Sequence, residues 1–379
     1  MQQGEEQGTS DQMTGQLPVP PRPAAGRRYR SLFWAIVLIG AGVTALLFNL
    51  DVIDPASLGM LTYVWPIIIV GVGVDLLLGR RSLLAGALVG VITVGLIIVL
   101  MVIGPSLGWT GDTELKTDTL TTPVSQATSV EVIIDTSGYS AEVHALPASS
   151  SPERPLFAAA VAYRGSIDFQ AAGDTEKTVS LDSKGQRWWW FLLDLAEADV
   201  WDIGLDPGVP LDLVFDSSSG SVELDLSKLD LTALEASMSS GQMQVALPDR
   251  GGKAYEAALK VSSGDLEVGV APGARVDLGV RMSSGDVRVV AGARSDVTVT
   301  FDGSSGEFTL ELASDQAFRL EVKDISSGSV VRPPGLVQVT GGDRGEGVWE
   351  TVGYSDAEKK VILVVEHMSS GSVTIDRID

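Results

Sequence analysis

The stretch SSGDLEVGVAPGARVDLGVRMSSG, from Ser262 to Gly285, decides the fold of most of this chain. After the first Ser-Ser-Gly, Leu266, Val268 and Val270 alternate with polar or small residues. A Pro-Gly turn follows, and apolar residues then alternate again up to the next Ser-Ser-Gly. Alternation with a period of two is typical of β-strands that bury one face. Each copy therefore predicts two strand segments joined by a turn, with Ser-Ser-Gly forming a sharp corner between one copy and the next.

The same corner recurs along the C-terminal half of the chain. Its glycine is Gly220, Gly241, Gly264, Gly285, Gly306, Gly328 or Gly371. The intervals are 21, 23, 21, 21, 22 and 43 residues, and we interpret the last as two periods from which one copy was lost inside an expanded segment. A fixed period of this size is typical of repeats that are too small to fold alone and stabilise each other by stacking.

The period predicts a single-stranded parallel β-solenoid or roll over residues 205–379, with seven or eight rungs of about 21 residues. An antiparallel meander with the same period is the alternative. Glycine turns the chain without a Cβ penalty, and the serines can hydrogen-bond to the backbone or to the equivalent serine one rung away. We therefore expect a serine ladder along the corners.

Residues 105–204 predict a less regular β region. Val130–Val143 resembles a degenerate opening rung, with Gly138 at its corner. The aromatic run Trp188, Trp189, Trp190 and Phe191 has three open interpretations: it caps the end of the solenoid, which needs covering, it enters the membrane surface, or it binds a polysaccharide or lipid.

A second irregular segment lies near the end of the chain. Residues 332–360 predict a loop that bulges from the stack, and such insertions often carry binding residues. With Trp349, this loop joins the aromatic run as a candidate interaction surface.

Three uncharged apolar runs occupy the N-terminal quarter of the chain. They predict membrane spans at about 31–50, 58–79 and 82–104, since a helix needs roughly 20 apolar residues to cross a bilayer. Gly86 and Gly90 form a GxxxG pattern that allows close helix approach. The polar residues 1–30 predict a disordered tail.

The basic residues that flank these runs predict the orientation of the chain. Four arginines precede the first run, Arg80 and Arg81 separate the second from the third, and the loop between the first and second carries Asp51 and Asp54 without a base. By the positive-inside rule, the tail is cytoplasmic and the C-terminal domain extracytoplasmic. We therefore expect a multi-pass protein of a bacterial cell membrane.

The charge distribution excludes one class of partner. Six of the 27 Lys and Arg and six of the 49 Asp and Glu precede Gly104, so the residues after it carry the whole net charge of −22. Such a surface repels nucleic acids. The chain has no cysteine, so no disulfide stabilises the β domain.

The sequence predicts no catalytic residue, cofactor or metal site. His144 and His367 are far apart in the chain, the outward-facing acids are dispersed, and no Gly-rich phosphate loop is present. A carbohydrate-active β-helix enzyme is the less favoured alternative.

Two parts of the chain resemble known families. The stretches FWAIVLIGAGVTALLFNLDVI and VWPIIIVGVGVDLLLGRR, with Asn49-Leu50 and Trp65-Pro66, resemble the transmembrane region of LiaI/LiaF-type proteins. The Ser-Ser-Gly copies are similar to adhesin-type and LiaF C-terminal β-repeat domains, and the segment around Val130–Tyr163 to the toast-rack region that precedes them. The chain departs from LiaF-type proteins in having three spans rather than four, and a long irregular insert.

This resemblance implies a non-enzymatic role in the response to cell-envelope stress, often by restraint of a membrane sensor kinase. The alternative is a surface adhesin or envelope scaffold that displays the β-solenoid and uses the spans only as an anchor. No functional residue transfers from the families to this sequence.

Overall fold

The computed structural model describes residues 32–49, 61–78, 83–103, 115–151, 153–184, 200–341 and 345–378. The chain divides into two compact units, 1–110 and 111–379. The predicted tail, the Asp51/Asp54 loop, the Arg80-Arg81 turn and the Trp188–Phe191 run fall outside the described residues.

The N-terminal unit contains three helices, α1 (Phe33–Asn49), α2 (Leu61–Leu78) and α3 (Leu83–Ile103). Both α1 and α2 pack against α3. A Cβ on Gly90 would lie 3.1 Å from the Cβ of Ile36, so this glycine permits the close approach of α3 to α1. Over the described residues, none of the helices combines the length and apolarity required of a membrane span.

The C-terminal unit is built from strands in one continuous hydrogen-bonded sheet. The strands are β1 (Lys116–Pro123), β2 (Ser129–Asp135), β3 (Ala141–Ala145), β4 (Pro155–Tyr163), β5 (Ile167–Ala172), β6 (Glu176–Ser183), β7 (Trp201–Leu205), β8 (Leu211–Ser217), β9 (Ser221–Asp225), β10 (Leu231–Leu247), β11 (Ala254–Val270), β12 (Arg275–Ala291), β13 (Asp296–Gly303), β14 (Glu307–Ala313), β15 (Ala317–Val322), β16 (Ser329–Val331), β17 (Leu336–Gly341), β18 (Gly347–Thr351), β19 (Lys360–Met368) and β20 (Ser372–Ile378).

Most of these strands pair in parallel with the equivalent residues of a neighbouring copy. Gly241 pairs with Gly264, and Gly264 pairs with Gly285, so the corners lie in register. We call the two strand segments on either side of one corner a rung, and the set of paired rungs the stack. The predicted parallel pairing is confirmed, and the antiparallel meander is wrong for these strands.

Nine rungs can be traced among the described residues. In spatial order they are β6 with β7, β2 with β3, β8 with β9, β10, β11, β12, β13 with β14, β19 with β20, and β15 with β16. The opening rung at Val130–Val143 therefore stacks directly on β8 and β9. Strands on both sides of the predicted boundary at 204/205 contribute to this one compact unit.

The C-terminal end of the stack departs from the order of the sequence. Ser372 N donates to Gly306 O at 3.0 Å, and Ser329 N donates to Gly371 O at 2.9 Å. The corner at Gly371 therefore lies between those at Gly306 and Gly328. The interpretation of the 43-residue interval as a lost copy is wrong, because the later rung is inserted between two earlier ones.

Antiparallel strands cover both ends of the stack. At the N-terminal end β5 pairs with β6, β4 with β7, and β1 with β4. At the C-terminal end β18 pairs with β15, and β17 with β18. The expectation of a simple loop over 332–360 is therefore wrong, because this segment forms a hairpin and a short 3-10 turn at Tyr354–Asp356.

The inward-facing residues of all the rungs form one core that extends from Val124 to Ile375. Each rung contributes alternate apolar side chains from both of its segments, as the period-two pattern predicts. Large aromatics contribute to this core; the ring centroids of Phe301 and Phe308, for example, lie 4.3 Å apart. The polar side chains that alternate with this core form the two outer faces of the stack.

Candidate functional site

The corner glycines form one column along the stack, and five of them have no room for a side chain. A Cβ on Gly264 would lie 2.1 Å from Gly241 O, and its φ is +139°. The same close approach occurs at four more corners. There, a Cβ would lie 1.9 to 2.1 Å from the carbonyl oxygen of the adjacent corner glycine; these corners are Gly241, Gly285, Gly306 and Gly371. These corners require glycine for both its backbone conformation and its size.

The outermost corner is less demanding. A Cβ on Gly328 would lie 3.1 Å from the side-chain Cγ of Met368 and 3.2 Å from Gly371 O, and no left-handed φ is imposed there. Gly220, between the corners at Gly138 and Gly241, is intermediate: its φ is +108°, but a Cβ there would lie 3.3 Å from Gly138 O. The structure thus separates five tightly packed corners from the looser ones at Gly220 and Gly328.

Serine hydroxyls connect the corners from rung to rung. Ser240 Oγ donates to Ser218 O at 3.2 Å, and Ser305 Oγ donates to Ser283 O at 3.0 Å. Similar bonds join Ser284 to Ser262 and Ser370 to Ser304, and the Oγ atoms of Ser263 and Ser284 lie 3.0 Å apart. The corners are therefore held by a serine ladder of mostly side-chain to backbone bonds.

An open groove of about 480 Å³ lies on the outer face beside the corners, and we call it the outer groove. Its polar lining comes from four neighbouring rungs and comprises Gln242, Gln244, Asp265, Glu267, Asp286, Arg288, Glu307, Thr309 and Glu311. The regular spacing of amides and carboxylates suits hydrogen bonding to an extended polymer.

Arg288 lies at the centre of the outer groove and holds two carboxylates. Its Nε and Nη2 donate to Glu311 at 2.9 Å each, and its Nη1 donates to Glu267 at 2.8 Å. The hydrogen bonds that Arg288 donates to Glu311 raise the pKa of its guanidinium. Within the part of the chain that the structure describes, no group of three His, Asp or Glu side chains is arranged to hold a metal ion.

Trp349, which was predicted to belong to an interaction surface, lies inside the C-terminal cap. It is 7 % exposed, and the Arg332 guanidinium lies 4.3 Å from its ring centroid. Strands β6 and β7, which flank the Trp188–Phe191 run in the sequence, lie at the opposite end of the stack. Trp349 is therefore buried and not on the exposed surface, and the interaction surface predicted for Trp349 and the Trp188–Phe191 run stays a prediction.

The two histidines lie in different rungs and do not share a site. His144 Nδ1 in β3 lies 3.3 Å from Asp202 Oδ1. His367 in β19 contacts Asp324 and Ser369, which sequence analysis did not single out. Asp324 comes 43 residues earlier, and it is brought to His367 only by the inserted rung.

Comparisons with known proteins support the resemblance found in the sequence. Residues 32–77 match the family model of the LiaI-LiaF-like transmembrane region. Residues 159–270 match that of the toast-rack N-terminal domain, which here extends from β4 to β11 and so lies mostly beyond the Val130–Tyr163 segment. The resemblance to LiaI/LiaF-like and toast-rack proteins is therefore confirmed.

One solved structure that the search matches is described as an inferred cell adhesion protein from Clostridium sporogenes. It is 12% identical in sequence, with a TM-score of 0.38, and the match covers 70% of this chain and 100% of the other. The search of curated protein sequences finds no match to this chain.

Proposed function

We propose that this chain is a multi-pass protein of the bacterial cell membrane that displays a β-solenoid outside the cell and regulates the envelope-stress response through protein contacts. The observation that carries the proposal is the order of the two family matches, a LiaI-LiaF-like transmembrane region followed by a toast-rack domain. Both families are non-enzymatic in kind.

The surfaces of the three helices support a lipid environment. Large apolar side chains are exposed on each helix; Leu38 is 71% exposed, Leu77 76% and Leu84 81%. In water, an apolar surface of this extent favours association or aggregation, whereas in a bilayer it contacts lipid tails. The exposed apolar side chains therefore support the proposal that these helices contact lipid.

The flanking charges support the orientation. The basic residues lie before the first span and between the second and third, and the acidic β domain carries the net charge of −22. In this orientation the arginines stay in the cytoplasm. The stack is then exposed outside, where it can sense a change in the envelope, while the helices contact a membrane partner such as a sensor kinase.

A surface adhesin or envelope scaffold is the second candidate, and the outer groove favours it. Its polar lining spans four rungs and is open to solvent, as the binding of an extended polysaccharide requires. In this case the helices would serve only as an anchor.

The absence of cysteine allows a clean test of the topology. Single substitutions Ser10→Cys, Ser57→Cys, Ser82→Cys and Val352→Cys are expressed in cells and treated with a membrane-impermeant maleimide. We expect Ser57→Cys and Val352→Cys to react in intact cells, and the other two only after lysis. Protection of Val352→Cys, whose native side chain is 85% exposed, would contradict the proposed topology.

A chimera separates the regulator from the adhesin. The helices at 31–104 are replaced by three unrelated spans of the same orientation, and the β domain is retained. A regulator that acts through its helices loses crosslinking to its membrane partner and loses its effect on an envelope-stress reporter. An adhesin keeps surface binding of envelope polysaccharide in the chimera and loses it when Gln242 and Gln244 are replaced by alanine. Unchanged stress signalling in the chimera contradicts the first proposal.

A further inference from the structure

The rung formed by β19 and β20 contains one residue more than its neighbour at the approach to the corner. Phe301 pairs with Val365, whereas Asp302 pairs with His367, so Glu366 is an extra residue in β19. A β-bulge of this kind redirects the side chains beside it and is common next to functional sites. The bulge brings His367 to the position that Asp302 occupies in the neighbouring rung.

His367 makes one hydrogen bond through each ring nitrogen. Its Nδ1 lies 2.7 Å from Asp324 Oδ2, and its Nε2 lies 2.8 Å from Ser369 Oγ. The carboxylate can only accept, so Nδ1 carries the proton and donates it to Asp324. Nε2 is then the acceptor for the hydroxyl proton of Ser369. These are the contacts by which a histidine activates a serine, with an acid that fixes the tautomer.

We propose that Ser369 is a nucleophilic serine that accepts an acyl group from an activated ester. Ser369 Oγ attacks the ester carbonyl while His367 Nε2 takes the hydroxyl proton. The bond to the alcohol leaving group then breaks, and the leaving oxygen takes that proton from His367. The products are an O-acyl Ser369 and a free alcohol, with His367 returned to its neutral state and Asp324 ionised throughout.

The surroundings of Ser369 distinguish it from the other corner serines. In the next two rungs towards the interior of the stack, the residue equivalent to His367 is Asp302 and then Arg281. The serines equivalent to Ser369 in those rungs, Ser304 and Ser283, therefore have no imidazole beside them. The His367 and Asp324 side chains are 40% and 55% exposed, so a small ester can reach the site.

The site lies on an open surface and not in a cleft. Acyl transfer in enzymes gains most from preorganised donors in a water-excluded pocket. We therefore assign to this site stoichiometric acylation of Ser369 and not rapid turnover, which is compatible with the non-enzymatic role proposed above.

The test treats the purified full chain with p-nitrophenyl acetate, follows nitrophenolate release, and maps the acetyl group by peptide mass spectrometry. We expect acetylation of Ser369 at least about ten-fold faster than that of Ser283 or Ser304. His367→Gln can still hydrogen-bond but cannot act as a base, and should lower the rate at Ser369 by about 100-fold, the lower range for loss of general-base catalysis. Asp324→Asn should give a smaller loss.

Two controls keep the result unambiguous. Thermal unfolding of His367→Gln must match that of the native chain, since a structural role alone would change stability and not selective acetylation. Acetylation of lysines serves as an internal measure of reagent exposure. Equal acetylation of Ser369, Ser283 and Ser304, or a rate at Ser369 unaffected by His367→Gln, overturns the proposal. The measurement is independent of membrane topology and partners, so its outcome is separate from that of the proposed function.

Discussion

The spatial order of the rungs follows the sequence in the middle of the stack and departs from it at the two ends. From β8 to β14, each rung is followed in the sequence by its neighbour in space. At the N-terminal end, β6 and β7 pair outside the earlier β2 and β3. At the C-terminal end, the latest strands, β19 and β20, enter between two earlier rungs.

The difference shows how a parallel stack can end with its terminal strands β6 and β15 covered by antiparallel strands. An unpaired edge of parallel strands offers hydrogen-bonding groups to any passing chain. Here the chain leaves the outermost rung, reverses in the hairpin β17–β18 that covers β15, and returns on the inner side. The inserted rung is the consequence of this reversal, and it joins the cap covalently to the interior of the stack.

The largest difference in stability between the middle of the stack and its end is expected at the corner glycines. Gly264→Ala places a Cβ 2.1 Å from Gly241 O at a φ of +139°, and should reduce the free energy of unfolding by at least about 3 kcal/mol or prevent folding. Gly328→Ala, at the outer end of the column, should cost only about 1 kcal/mol, because its φ is not left-handed and its Cβ contacts with Met368, Gly371 O and Ile325, at 3.1 to 3.3 Å, need shifts of only a few tenths of an ångström. Urea unfolding of the detergent-solubilised chain, followed by far-UV circular dichroism, measures both.

This pair of variants carries its own control, since both make the same chemical change in the same motif. Equal losses at Gly264 and Gly328 would show that the interior and the end of the column are equally tight. That result would contradict the distinction drawn here.

A smaller effect is expected where the inserted rung is fixed in place. The Gln316 side chain is 7% exposed, accepts from Arg294 N at 3.0 Å, and donates to Ser295 O at 3.1 Å and Lys359 O at 3.3 Å. It therefore joins the turns that lead into β13, β19 and β15. Gln316→Ala leaves the buried Ser295 carbonyl and the partly buried Arg294 N and Lys359 O without this partner, and should cost about 1 to 3 kcal/mol.

Amide hydrogen exchange shows where this loss acts. Protection should decrease in β15, β19 and β20 and remain unchanged in β10 to β12, because local opening follows the broken contacts. Gln338→Ala, an exposed glutamine in the cap, is the matched control and should change neither region. A uniform loss of protection along the stack would show that the end is not a separate unit.

The sequence predicts the buried face and the strand register in the middle of the stack, but it does not predict the order of the rungs at its ends. Alternating residues such as Leu266 and Val268 define the buried face, and the constant interval between corners defines the register. The period does not specify which rung neighbours which, so the insertion of the Gly371 corner could not be read from it. The contact of His367 with Asp324 depends on that insertion and was missed for the same reason.

Other features were missed because the sequence does not distinguish a binding residue from a cap. Trp349 lies among Gly, Pro and polar residues, which are typical of an exposed loop. Burial beneath Arg332 depends on the pairing of β18 with β15, a long-range contact outside the repeat. Cap strands of this kind do not follow the period and leave no comparable signal.

The smallest expected effect lies in the middle of the stack, on its outer face. Arg288 joins Glu267 and Glu311 across three rungs, but its side chain is 50% exposed, so solvent and ions screen the pairs. Arg288→Ala should therefore lower the free energy of unfolding by less than about 1 kcal/mol, and raising the salt concentration should reduce the difference. Arg281→Ala is the control, because the structure shows no ion pair for Arg281 within its described residues.

A large, salt-independent loss for Arg288→Ala would mean that outer-face charges contribute to stacking as much as the corners do. The middle would then depend on side-chain bridges, and the contrast with the ends would no longer rest on backbone register and glycine packing.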